Sequence, residues 1–292
     1  MSEKNEINGS NSSSNNLYLD KPCTKKELYG NELFGFGSMQ GWRKTNEDFS
    51  KYLIPFDNYL WKDWAFFLYL MVIMESETAK NAANIIDKYL LESLNKIQSN
   101  IDYNRLNDII KRTFSELDKH LRGIVHDDSG SVCIASLIGP NDIYLINIGE
   151  SRGIIISKDG QVLSSTKDHK PTVRKEQQRI RRAGGQITKA TNDVLRVENQ
   201  LAMTRALGDY SLDKHIIPAL PDIIQYRRDS SASFVIIASD GIWDVINNEQ
   251  VALFVSQRAS NKSLSEIISD LFDKCLQEES SDNMTAFIIK LD

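Results

Sequence analysis

Apolar positions along the chain fall into two periods. Short runs dense in Val, Ile, Leu and Phe occupy residues 64–70, 131–138, 143–148, 153–157, 234–239 and 284–290. Their length and near-continuous apolar character predict strands in sheets covered on at least one face. Two longer stretches repeat at three to four residues instead. Ala79, Ala82, Ala83, Ile86, Tyr89, Leu90 and Leu94 form one stripe over residues 76–96. Tyr103, Leu106, Ile110, Phe114, Leu117 and Leu121 form another over 102–122. Both spacings predict amphipathic helices. Residues 171–183 read as a third helix, opened by Pro171 and closed by Gly184-Gly185. Ser263 and Glu266 have the spacing of a capping box ahead of Ile267, Ile268, Leu271, Phe272 and Cys275.

The strands of 131–157 follow one another without room for helical crossovers, which predicts antiparallel meanders. The fold class expected is α+β: two antiparallel sheets packed face to face, with helices outside, a four-layer αββα sandwich. Residues 1–20, rich in Ser, Asn and Glu, have too little apolar surface to order themselves and read as a disordered tail. Residues 21–292 carry no long linker or internal repeat and read as one domain.

Composition narrows the partners. Hydrophobic residues make up 41% of the 292, enough for a sizeable core, and the net charge is −5. That balance argues against nucleic acid or an anionic membrane as the main partner. The apolar run 64–74 is far shorter than the ~20 residues a membrane span needs. The polar N-terminal stretch, with Ser2 after Met1, leads us to expect neither a signal peptide nor N-myristoylation. Cys23, Cys133 and Cys275 are odd in number and widely spaced, which fits free thiols in a reducing compartment. The expectation is a monomeric cytoplasmic or nuclear protein.

Three acidic loops carry candidate chemistry: Glu47-Asp48, Asp240-Gly241 and Asp282-Asn283. Asp240 follows an apolar strand directly, and the glycine after it lets backbone approach a ligand. Each dipeptide alone fits a turn as well as a metal ligand. Between the first two loops, where a fourth acidic loop would complete the set, residues 68–75 read LYLMVIME.

The order of these blocks is similar to that of the metal-dependent protein serine/threonine phosphatases of type 2C. The resemblance spans about residues 21–292. It rests on SMQGWRKTNED at 38–48, WAFF at 64–67, GESRG at 149–153, DHKP at 168–171, EQQRIRRAGG at 176–185, LAMTRALGDY at 201–210, ASDGIWDV at 238–245 and SDNMT at 281–285. It implies two Mg2+ or Mn2+ ions in a cleft between the sheets and phosphoprotein substrates. Asp240 and Asp282 would bind metal directly, and Glu47 and Asp48 directly or through water. Arg43 would hold the substrate phosphate, a task suited to a planar guanidinium. Attack on phosphorus by a metal-bridging hydroxide is the mechanism implied. Arg205, Asp209 and Asn283 fall to structural or supporting roles. A kinase reading from Gly35, Gly37 and Gly41 fails, because the spacing is not GxGxxG and no HRD or DFG block follows.

Two departures stand out. Glu150 replaces the family's Asp before Ser-Arg, which puts any additional metal position there in doubt. The family's loop V-[YF]-D-G-H-x-G is absent: an ungapped alignment from WAFF puts Met71, Val72 and Ile73 at its Asp, Gly and His, ahead of Met74 and Glu75. An apolar trio can neither bridge two cations nor donate a proton. The chain as written is expected to bind at most one ion well and to be a poor or dead catalyst, a pseudophosphatase scaffold. The buried acids left without a cation should make residues 68–76 shift or loosen.

The codons open to residues 68–75 include TTG TAT TTG ATG GTC ATA ATG GAA. Read from the third base, this string gives Val-Phe-Asp-Gly-His-Asn-Gly, the family's missing loop. The expectation is a pair of compensating one-base changes near Phe67 and near Ser76, in the gene or in its reading.

Overall fold

The computed structural model describes residues 17–96, 105–191 and 193–291. Two mixed-length antiparallel sheets form its centre. The first has the order β1 (Tyr18–Gly30), β2 (Phe34–Arg43), β14 (Met284–Lys290), β13 (Ala232–Ala238), β7 (Arg152–Ser157), β8 (Val162–Ser165). The second has the order β12 (Asp222–Arg227), β6 (Asp142–Ile148), β5 (Gly130–Ile138), β4 (Ala65–Ile73), β3 (Phe49–Leu53), and short β11 (Leu207–Gly208) adds to β5. A hairpin of β9 (Ile187–Lys189) and β10 (Leu195–Val197) stands apart.

Helices α1 (Glu77–Asn95) and α2 (Leu106–Leu121) cover the second sheet. Their buried stripes, Ala79, Ala82, Ile86, Leu90 and Leu94 on α1 and Leu106, Ile110, Phe114, Leu117 and Leu121 on α2, match the periodicity in the sequence. Tyr103 lies outside the described residues. Helices α5 (Asn248–Ser256) and α6 (Leu264–Gln277) cover the first sheet. The capping box predicted at Ser263 and Glu266 is formed, and Asn247 with Gln250 makes a second on α5. The layers are helix, sheet, sheet, helix, as expected.

Alternation along each strand sorts side chains between these layers. On β4, Phe66, Leu68 and Leu70 face α1 and α2, whereas Phe67 and Tyr69 face the first sheet. The inter-sheet core adds Phe34, Phe36, Ile134, Leu145, Ile237 and Phe287.

Four expectations change. β5 and β6 pair, but β7 crosses to the other sheet, so the meander breaks at residues 149–151. β1 starts at Tyr18, inside the stretch assigned to the tail. Helix α3 (Arg174–Arg182) starts after a turn that contains Pro171, with Val173 as its N-cap; the Gly184 and Gly185 amides close it on Arg181 and Ile180. Finally, β4 does not stop at residue 70. Its ladder with β5 runs unbroken from Ala65↔Ile138 to Ile73↔Gly130. The expected loosening of 68–76 is absent through Ile73, because Met71, Val72 and Ile73 find apolar cover on both faces of the sheet.

Candidate active site

At one end of the sandwich, the end of β4 and the loops around it surround a cleft of about 470 Å³. Arg43, Glu47, Asp48, Glu150, Asp240 and Asp282 line it, and so do Met71, Val72 and Ile73. Asp209 and Asn283 line it as well. Residues from distant parts of the sequence, singled out on their motifs alone, therefore share one cavity.

Backbone contacts draw the loops together. α4 (Asp240–Trp243) is a single turn that begins directly after β13, with Asp240 at its first position. Gly241 does lie at a close approach, but to protein rather than ligand: a Cβ there would sit 2.2 Å from the Asn283 carbonyl oxygen. Gly41, at φ +65°, approaches the Asp282 carbonyl in the same way, at 2.5 Å. The Asn283 side-chain amide donates to Gln40 O at 2.7 Å and Thr45 O at 2.9 Å. The supporting role expected of Asn283 is thus to bind the β2–β3 loop, which carries Glu47 and Asp48, to the 282–283 loop.

Each acid has a different local answer to its charge. Asp282 Oδ2 takes an Arg43 guanidinium hydrogen bond at 2.5 Å, and its Oδ1 accepts from the Asn283 amide at 2.7 Å. Asp48 accepts from the Tyr69 hydroxyl at 2.8 Å and from Thr285 Oγ1 at 2.6 Å. Burial nevertheless pushes the Asp48 carboxyl up to about 6. Burial pushes Glu150 up to about 7, opposed by Lys170, whose Nζ lies 3.7 Å away. Glu47, more exposed, accepts from Thr45 Oγ1 at 2.7 Å. Asp240 has no such help. It is buried, its Oδ1 lacks a hydrogen-bond partner among the described residues, and burial beside Glu150 and Asp282 raises it well above the usual carboxylate range.

Asp209 stands at φ +53°, with its amide on Ser129 O and Oδ2 unpartnered among the described residues. Arg205 holds buried Glu176 through two hydrogen bonds, of 3.1 and 2.6 Å, and reaches Asp222 Oδ1 at 2.8 Å. That is the structural role expected of its motif.

The sequence reading missed Tyr69, Thr285 and Lys170. Thr285 and Lys170 sit inside the quoted SDNMT and DHKP blocks. Tyr69 carries the one polar side-chain group among residues 68–74, and alternation with buried Phe67 put it on the inward face.

The donor set does not fit a two-ion centre. The bridging position holds Met71, both oxygens of Asp48 and of Asp282 are occupied by protein donors, and among the described residues no three His, Cys, Asp or Glu side chains converge as a metal-binding group. One observation fits a single cation: the orphaned Asp240 Oδ1.

The fold thus sets a pair of antiparallel sheets between helix layers, with an acid-lined cleft at one end. The family model described as Protein phosphatase 2C matches residues 32–284, and the chain belongs to that family. It is 32% identical to Protein phosphatase 1B of Bos taurus over 93% of this chain and 60% of that protein. It is 31% identical to human Protein phosphatase 1A over 93% and 75%. The chain thus spans about 60% of the cattle and human 1B proteins. Among solved structures, a C. elegans sex determining protein superposes with TM-score 0.76 at 24% identity, covering 91% of this chain and 66% of that one. A Toxoplasma gondii serine-threonine phosphatase 2C gives 0.75 at 19%, covering 92% and 99%. These two show the fold.

Proposed function

We propose that this fold serves hydrolysis of phosphoserine and phosphothreonine in proteins, with Mg2+ or Mn2+ as the cofactor. The convergence of Arg43, Asp48, Asp240 and Asp282 on one cleft carries the reading. Arg43 stands at the cleft with a guanidinium suited to a phosphate. A divalent ion, when bound, would supply Lewis-acid and water-activating chemistry; of the residues present, Asp240 offers it a free buried oxygen. Phosphoproteins are the substrates, and the protein acts in the cytoplasm or nucleus as one domain that includes β1 from Tyr18 onward.

A second reading applies to the polypeptide with residues 68–75 as given: a catalytically silent scaffold of the same fold. The intact β4 ladder through Met71, Val72 and Ile73 favours it, because an apolar wall replaces the ligand, the turn and the proton donor together. The frame relation between this segment and Val-Phe-Asp-Gly-His-Asn-Gly links the two readings. Sequencing the mature transcript across codons 64–80 separates them. A transcript that encodes Asp-Gly-His supports the enzyme, and one that encodes Met-Val-Ile supports the scaffold.

A further inference from the structure

The opposite end of the sandwich holds a second opening. β4 runs between the two: Ala65 lines the second opening and Ile73 the acidic cleft, roughly 26 Å apart at the rise of a strand. The second opening has a volume of about 320 Å³. Its floor is apolar, with Leu33, Ile54, Trp64, Phe67 and Ile289. Lys62, Arg228 and Lys290 stand at its rim against, among the described residues, a single acid, Asp63. None of these three cations belongs to an ion pair among the described residues.

Solvent reaches this apolar surface. Leu33 and Ile54 are each more than a third exposed, and the loop that carries Lys62 also presents Tyr59 (82% exposed) and Leu60 (61%). Contiguous exposed apolar surface rimmed by charge marks binding surfaces more than ordinary monomer surface.

Charge selects the occupant. The chain as a whole is net negative, at −5. Glu47, Asp48, Glu150, Asp209, Asp240 and Asp282 line the cleft, whereas here three cations outside any ion pair face one carboxylate among the described residues. An anionic segment is repelled by the first end and drawn to the second. We propose that this opening docks an extended acidic segment of a partner protein, whose apolar side chains enter the floor while its carboxylates meet Lys62, Arg228 and Lys290. A groove of this volume takes a few side chains, not a folded domain. The proposal is independent of whether the acidic cleft turns over phosphate.

The test is fluorescence anisotropy of the full chain with a labelled peptide that alternates Glu and Leu, and with its Lys-Leu counterpart. The Glu-Leu peptide should bind in a salt-sensitive way, and the Lys-Leu peptide should not. Lys62→Glu with Lys290→Glu should weaken binding about tenfold or more, as expected for rim charges acting together. Ile54→Asp, at an exposed floor position, should do the same independently. Circular dichroism and melting temperature check that the variants fold. No binding of the Glu-Leu peptide overturns the proposal, as does equal binding of the Lys-Leu peptide or binding unchanged by the reversals. Self-association in sedimentation that Ile54→Asp abolishes also overturns it, since a second copy would then be the occupant.

Discussion

The Tyr69 hydroxyl donates to Asp48 Oδ1 at 2.8 Å, from a ring that is buried between the sheets. Thr285 takes the other oxygen, and Ser38 and Asn46 extend the chain of hydrogen bonds behind it. An acid expected from its motif to face metal is here satisfied by protein. Together with Arg43 on Asp282 and Lys170 near Glu150, this explains how the cleft tolerates its carboxylates while β4 stays regular.

Tyr69→Phe removes that donor and leaves Asp48 Oδ1 without a partner among the described residues. The cost of an unsatisfied buried acceptor is about 1–3 kcal/mol. Urea denaturation in the presence of a chelator should show that loss. An unchanged midpoint would mean that water replaces the hydroxyl freely.

Stability without divalent ions should fall as pH rises from 5 to 8. In the unfolded chain the cleft carboxyls titrate near 4. In the folded chain Asp48 titrates at about 6, Glu150 at about 7, and Asp240 is raised well above its usual range. The native state therefore holds more protons across this window, and the stability it gains at low pH is lost as pH passes the folded values. Glu176, held down to about 2 by Arg205, has the opposite sign but acts only below about pH 4.5, and His169, lowered by burial, opposes the slope only in the lower part of the window, where the unfolded imidazole is protonated. Melting temperatures at pH 5 and pH 8 in chelator check the direction. A saturating divalent ion that binds at Asp240 should flatten the slope.

Arg205→Ala should cost about 3–5 kcal/mol, because it strands a buried carboxylate. Glu176 is 2% exposed, and Arg205 supplies two of its hydrogen bonds. Arg179 and Thr204 also reach Glu176 Oε2, so the loss should sit at the lower end of that range. Chemical denaturation measures it. A change under 1 kcal/mol would show that Arg179 alone neutralises Glu176.

The periodic elements were legible because their physics is local. The α1 and α2 stripes and the Ser263 cap need only neighbouring residues. β1, β2 and β3 were not: β1 and β3 have exposed or mixed faces, with β1 exposed at Tyr18, Leu28 and Tyr29, and β2, although largely buried, alternates Phe34 and Phe36 with glycines and so shows no continuous apolar run. The crossing of β7 depends on which sheet offers a free edge, a non-local fact. At the site, the motifs placed Arg43, Asp48, Asp240 and Asp282 together. What they hid was pairing. Whether an acid meets a metal, an arginine or a tyrosine depends on side chains far away in sequence, as Asp48 with Tyr69 and Arg43 with Asp282 show.

The replacement Tyr69→Val, Leu70→Phe, Met71→Asp, Val72→Gly, Ile73→His, Met74→Asn and Glu75→Gly installs the loop that the hypothesised frame shift would have encoded. It adds the absent carboxylate at the inward position Met71 occupies, removes the Tyr69 hydroxyl from Asp48, and breaks β4 with a glycine where the regular ladder now runs to Ile73. Three obstacles to a divalent site go at once. Mn2+-dependent hydrolysis of a phosphothreonine peptide should rise by ~100-fold or more over the chain as given, the scale lost when a general acid or an ion is missing. Calorimetry should show Mn2+ binding tighten in parallel, a readout independent of turnover. If the restored chain folds and binds Mn2+ but does not hydrolyse, then the sequence outside 68–75 has also left catalysis, and the frame relation marks ancestry rather than present function. If the chain as given already matches its rate, Met71 does not stand where a ligand is needed, and the cleft works by other residues than those named.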